Sequence, residues 1–145
     1  MEKIRFDSGI KEYKLGDGGV LRFNPADPNL YARFLEAAEK IGALEQELSQ
    51  QAKLVEEQDG TQIVTLLQDA DRKMKQTLNW VFGNATDFDE LLGGVNLLAM
   101  GSNGERVVSN LFTALQPVLL SGAKMHAGEQ VRKAKAKANT RRAAQ

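Results

Sequence analysis

Residues 27–83, DPNLYARFLEAAEKIGALEQELSQQAKLVEEQDGTQIVTLLQDADRKMKQTLNWVFG, decide the fold. Asp27 is a natural N-cap and Pro28 stands at the first helical position, where a missing N–H costs nothing. From there Leu30, Phe34, Ala37, Ile41, Leu44, Leu48 and Val55 fall on a heptad spacing that only Gln51 interrupts. The pattern predicts a long amphipathic helix that ends at Asp59-Gly60, with glycine free to take a left-handed cap. Gly42 inside it costs helix stability relative to Ala, so close packing of a neighbour is expected there. A second helix is expected over 61–82, with Ile63, Leu67, Ala70, Met74, Leu78 and Val81 recurring every three or four residues. Asp69, Asp71, Arg72, Lys73 and Lys75 fall largely around its remaining surface. So short a connection makes the two helices antiparallel neighbours, an αα-hairpin whose seams bury each other at a shallow angle.

Upstream, residues 1–24 read as a β-meander of two or three strands. Ile4 and Phe6 alternate with Lys3, Arg5 and Asp7, and Asp7-Ser8-Gly9 supplies a turn. Tyr13 and Leu15 share one face of the next segment, and Val20 to Phe23 alternates around Arg22. Gly16-Asp17-Gly18-Gly19 between them lacks the Lys-Ser/Thr partner and the following helix of a phosphate loop, so it reads as a turn. Downstream, Gly83-Asn84 breaks the second helix. Thr86-Asp87-Phe88-Asp89-Glu90 then caps a short helix that ends at Gly93-Gly94. Ser102 and Glu105 have capping-box spacing before a last helix carrying Val108, Leu111, Phe112, Leu115 and Leu119 inward. Pro117 is expected to kink that helix, Gly122 and Gly128 to weaken it, and the chain past Val131 to fray. The fold class is thus α+β, mainly α. One domain of 145 residues is expected, with a β-meander (1–24), a helical body (25–121) and a basic extension (122–145).

Composition removes several chemistries. There is no cysteine, hence no disulfide, thiolate metal site or cysteine nucleophile, and one histidine, His126, reads as a surface imidazole. The acidic residues at 69, 71, 87, 89 and 90 are explained by helix surface and helix N-termini rather than by acid–base work. No catalytic residue, cofactor or metal is expected. No apolar run spans a bilayer and the first residues lack a secretory pattern, so a cytoplasmic protein without membrane contact is expected.

The 19 basic and 19 acidic residues balance, but unevenly along the chain: residues 1–121 hold 12 and 18, whereas 122–145 hold Lys124, Arg132, Lys133, Lys135, Lys137, Arg141 and Arg142 against Glu129. A basic tail on an acidic body suits nucleic acid, an acidic protein surface or another copy's body. No aromatic is interleaved with it for base stacking, which makes nucleic acid the secondary reading. Trp80 and Phe82 close the second helix as a core plug or, alternatively, as a partner anchor.

The order of parts carries a resemblance. Ile10 to Leu15 (IKEYKL), Phe23 to Pro28 (FNPADP) opening a long helix, Trp80 to Gly83 (WVFG), Phe88 to Gly94 (FDELLGG) and a basic end resemble the tail assembly chaperones of long-tailed phages and prophages. A Phe-Gly step followed about ten residues on by a second Gly step, here Gly83 and Gly93-Gly94, is the paired feature, and the resemblance covers roughly residues 3–135. It implies a non-enzymatic protein of the bacterial host cytoplasm. Such a protein binds and solubilises the tape measure protein, recruits tail-tube subunits, self-associates and leaves before the tail is finished. Leu44, Leu48 and Val55 on the hairpin and Trp80 and Phe82 beside Gly83 are the candidate contacts. The alternatives are a structural virion component of helical-hairpin type and a nucleic-acid-binding accessory protein acting through the basic tail.

Overall fold

The computed structural model describes residues 1–55, 59–83 and 85–144, with side chains described through Met125 and at Ala136. Strands β1 (Lys11–Lys14) and β2 (Val20–Phe23) pair antiparallel, Tyr13 opposite Leu21, around the 16–19 turn, where Gly16 takes φ +55°. Helices follow as α1 (Pro28–Lys53), α2 (Gly60–Phe82), α3 (Phe88–Leu91) and α4 (Val107–Ala144). The architecture is therefore mainly helical with a two-stranded sheet.

The amphipathic seams form the core as their spacing predicts. Leu30, Phe34, Ala37, Ile41 and Leu48 of α1 and Ala70, Met74, Leu78 and Val81 of α2 are buried, while Leu44 and Leu67 pack at the margin. Asp27 caps α1 by accepting from the Asn29 N–H at 2.9 Å. The connection differs from the expected one. α1 stops at Lys53, and Asp59 accepts from the Gln62 N–H at 3.1 Å, so it caps the start of α2 and does not end α1. An Asp side chain satisfies an orphan donor at an N-terminus, which a helix C-terminus does not offer. Arg33 closes the other end of α2 by donating from Nε to the Val81 carbonyl at 2.9 Å.

At that end a row of rings joins sheet to helices. Tyr13 stacks on Phe23 at 4.6 Å between centroids, Phe23 meets Phe82 edge-on at 5.2 Å, and Phe82 meets Phe88 at 5.5 Å. Such pairs contribute beyond the area they bury. The 16–19 turn lies on α3, where the Gly19 N–H donates to the Leu91 carbonyl at 3.0 Å. A Cβ on Gly18 would collide with that oxygen, so the glycines serve close approach of two backbones. α4 crosses α1 through Phe112, stacked on Phe34 at 5.0 Å, and buries Val108, Leu111, Leu115 and Leu119.

Several expectations are corrected. Of the two or three strands expected, two form; Ile4 and Phe6 are exposed and join neither. Among the described residues Ser102 and Glu105 form no capping box. Residues 100–106 instead make a turn closed by the Met100–Arg106 bridge, with Gly104 at φ +80° and Asn103 Oδ1 accepting from the Glu105 N–H. α4 contains Pro117 and is continuous to Ala144. Gly122 is buried against Pro25, a packing role and not a weak point. Gly42 is the reverse: a Cβ there would meet nothing within 4 Å. Gly42→Ala is therefore expected to raise unfolding free energy by about 1 kcal/mol, the propensity difference in a helix interior, read as a higher urea midpoint at unchanged slope.

Candidate partner-binding face

Along the face of α1 and α2 that carries Trp80 runs an open groove of about 530 Å³. Its α1 wall is Lys40, Ala43, Leu44 and Glu47, and its α2 wall is Lys73, Gln76, Thr77 and Trp80. Both walls recur at i, i+4 and i+7 (40, 44, 47 and 73, 77, 80), so each presents two turns, about 10 Å of helix at 1.5 Å per residue. The floor is apolar at Leu44 and Trp80 and the rim is charged of both signs. This geometry accepts the side of another helix, with residues three and four apart dropping between the walls.

Trp80 sets the character of the groove. The seam of α2 runs through Leu78 and Val81, so Trp80, one position before Val81, stands off it and keeps 37% of its surface exposed. Lys40 Nζ lies 4.6 Å from the centroid of its ring, a cation–π contact worth about 0.5–1 kcal/mol at an exposed site. Lys40 also pairs with Glu36 at 3.5 Å, and Lys73 with Asp69 at 3.1 Å, both in the open. Surface pairs of this kind contribute little to stability and yield readily to an incoming partner.

The five residues singled out from the sequence do not form one surface. Leu44 and Trp80 share the groove. Leu48 is buried in the core, and Phe82 packs between Phe23 and Phe88, so Phe82 is the core plug that was expected of the pair while Trp80 is not. Val55 lines a separate depression at the hairpin tip with Leu54 and Leu66. Of the basic tail, Lys124 is exposed; Arg132, Lys133, Lys135, Lys137, Arg141 and Arg142 lie outside the described side chains, as does His126. Lys40 and Thr77 went unnoticed in the sequence. The signal that finds them is Trp80 standing off the seam, since whatever shares its face shares the groove.

A second polar cluster has a structural part. Lys75, expected on the surface, is 4% exposed. Its Nζ lies 2.9 Å from Asp71 Oδ2 and 2.5 Å from Asp89 Oδ1, while Asp71 Oδ1 accepts from the Leu97 N–H at 2.8 Å. Asn79 Oδ1 accepts from the Phe88 N–H at 2.8 Å and Asn96 donates to the Leu67 carbonyl at 3.2 Å. Polar side chains at 71, 75 and 79 thus clamp the 87–98 segment onto α2. Burial works to lower the Lys75 pKa, but the hydrogen bonds that its ammonium donates to Asp89 and Asp71, together with their charges, outweigh it, and the net shift is upward from 10.5. A pKa raised by folding gives stability that is complete below the unfolded value and is lost as pH rises through the folded one. Urea titrations above pH 10.5 are therefore expected to show the native chain losing stability that the Lys75→Met chain, lower throughout, does not lose.

Among the described residues no helix is long and apolar enough to cross a membrane, and no three His, Cys, Asp or Glu side chains are grouped to hold a metal. No protein-family model, curated protein or solved structure matches this chain.

Proposed function

We propose that this chain is a non-enzymatic tail assembly chaperone of the bacterial host cytoplasm that binds and solubilises the tape measure protein and brings tail-tube subunits to it. The observation that carries the reading is the groove between α1 and α2, with Leu44 and Trp80 on its floor and i, i+4, i+7 walls on both sides. It fits a long helical client, whose apolar stripe would otherwise aggregate, and burial of that stripe supplies the driving force. The resemblance of residues 3–135 to the chaperone family supports the same reading.

The test is co-expression with the longest helical protein encoded just downstream. The partner is expected to become soluble and to co-purify in about 0.5 M salt, where exposed charge contacts are screened. Trp80→Ala is expected to weaken recovery by on the order of 10-fold or more, as truncation of a buried aromatic anchor does, with the far-ultraviolet spectrum unchanged. No rescue of the partner, together with this chain in finished particles, would replace the chaperone with a structural virion component.

The charge split favours one second reading, nucleic-acid binding through residues 124–142. It requires an affinity that falls steeply with salt and disappears when the tail's Lys and Arg are replaced.

A further inference from the structure

The β2 edge of the sheet is open, and the chain carries a strand-like segment that pairs with neither strand. The Leu15 N–H donates to the Gly19 carbonyl at 2.9 Å, and bonded and non-bonded pairs alternate along an antiparallel ladder. With Leu15 opposite Gly19, Tyr13 and Leu21 exchange bonds, whereas Val20 and Arg22 turn their N–H and C=O groups away from β1. Among the described residues no other backbone group bonds to either of them. This edge borders a groove of about 670 Å³, whose far wall is Phe82, Ala85, Thr86, Asp87, Glu90 and Leu91. The Gly19 to Leu91 bond closes one end of it.

Residues 3–6, Lys-Ile-Arg-Phe, match that groove. Ile4 and Phe6 are 89% and 79% exposed, an unusual state for two large apolar side chains two residues apart. Extended, they share one face and Lys3 and Arg5 the other. Four such residues span about 13 Å, the length of β2. Phe82 and Leu91 offer apolar surface to Ile4 and Phe6, and Asp87 and Glu90 offer negative charge to Lys3 and Arg5. The segment cannot add antiparallel along β2 of its own copy. Only residues 7–10 separate it from β1, and β2 stands in between, whereas a strand crossing to a parallel position needs about a dozen residues. Those four are also fixed. Asp7 Oδ1 accepts from the Gly9 N–H, Gly9 takes φ +72°, and Asn24 Nδ2 holds the Ser8 carbonyl at 3.0 Å.

We infer that residues 3–6 of one copy add as a third strand along β2 of a second copy, seated in the groove between β2 and α3. The contact joins two different surfaces, so each copy still offers a free segment and a free groove, and the assembly grows head to tail until a ring closes or a filament forms. This inference is independent of the chaperone reading, which concerns the groove between α1 and α2.

The chain has no cysteine, which allows a direct test. Docked with Phe6 toward Phe82, the segment places Arg5 on the face that carries Val20, so full-length Arg5→Cys and Val20→Cys chains are mixed in a glutathione redox buffer. The mixed disulfide is expected to form on the order of 10-fold or more faster than that between Arg5→Cys and Leu54→Cys, because docking raises the effective concentration of one thiol beside the other. The Arg5→Cys/Val20→Cys double variant is expected to give a ladder of covalent multimers. Sedimentation of the native chain is expected to show concentration-dependent growth that Ile4→Asp/Phe6→Asp abolishes while its helical spectrum persists. A mixed rate equal to the Leu54 control, an intrachain disulfide in a monomeric double variant, or a native chain that stays monomeric would each overturn the assignment.

Discussion

Phe88→Ala lowers the unfolding free energy by about 3–5 kcal/mol, the cost of truncating a fully enclosed ring. Phe88 has no exposed surface and ends the row of rings that begins at Tyr13. It is also the first residue of α3, a helix of four residues that could not persist alone, since forming a first helical turn is unfavourable. Asp87 caps this turn by accepting from the Asp89 and Glu90 N–H groups, and Asn79 holds the Phe88 N–H. Those polar contacts fix the turn only while Phe88 seats it. Losing the ring therefore also loosens Leu91, on which the turn of the β-hairpin lies. Urea unfolding of Phe88→Ala beside Phe88→Leu checks this. A loss below about 1 kcal/mol in the alanine variant would mean that the row of rings is not core.

Gly122→Ala is expected to cost about 3 kcal/mol, at the upper end of ordinary overpacking. In an exposed helix the same change gains about 1 kcal/mol, so the sign is the informative quantity. A Cβ at 122 would meet the Pro25 carbonyl carbon at 2.5 Å, would come closer still to its oxygen, and would lie 3.1 Å from the Ala26 nitrogen. All three are backbone atoms, in a segment held by Pro25 itself and by the Ala26 N–H donating to Asn24 Oδ1 at 2.8 Å. Neither side can yield as a flexible side chain would, so α4 must shift and disturb Leu115 and Leu119. Gly42→Ala and Gly122→Ala are thus the same substitution in two helices with opposite expected signs. Equal effects from the pair would refute the packing of α4 described above.

Which parts were legible in the sequence follows from what periodicity encodes. Spacing of three and four marks the side of a helix that faces inward, so Leu30 to Leu48 and Ala70 to Val81 were readable, and Asp27 and Asp87 announced their caps through contacts two or three residues away. Periodicity does not say which element lies opposite. Gly42 and Gly122 look alike in sequence, yet one faces open space and the other Pro25, 97 positions away in the chain. Alternation at Ile4 and Phe6 marks a segment able to be a strand, but a strand needs a ladder partner, and periodicity does not say whether one is taken up. Lys75 reads as surface because it is charged, whereas Asp71 one turn before it and Asp89, brought across by α3, make its burial tolerable. In the groove, Trp80 and Phe82 read alike in sequence, yet residues two apart on a helix face different sides, and only Phe82 enters the core.

The clamp that Asp71, Asn79 and Asn96 place on the 87–98 segment has a consequence for amide hydrogen exchange. The Leu97 and Phe88 N–H groups are held by α2 side chains, not by a helix or ladder of their own. Their protons can exchange only when α2 itself opens, so this irregular segment belongs to the same cooperative unit as the long hairpin. The Gly19 amide, bound to Leu91 across 72 positions, joins that unit at one remove. An exchange map would then place a loop, a four-residue helix and a β-turn at the protection of α2, while the unbonded amides of Val20 and Arg22 exchange freely until another copy covers them.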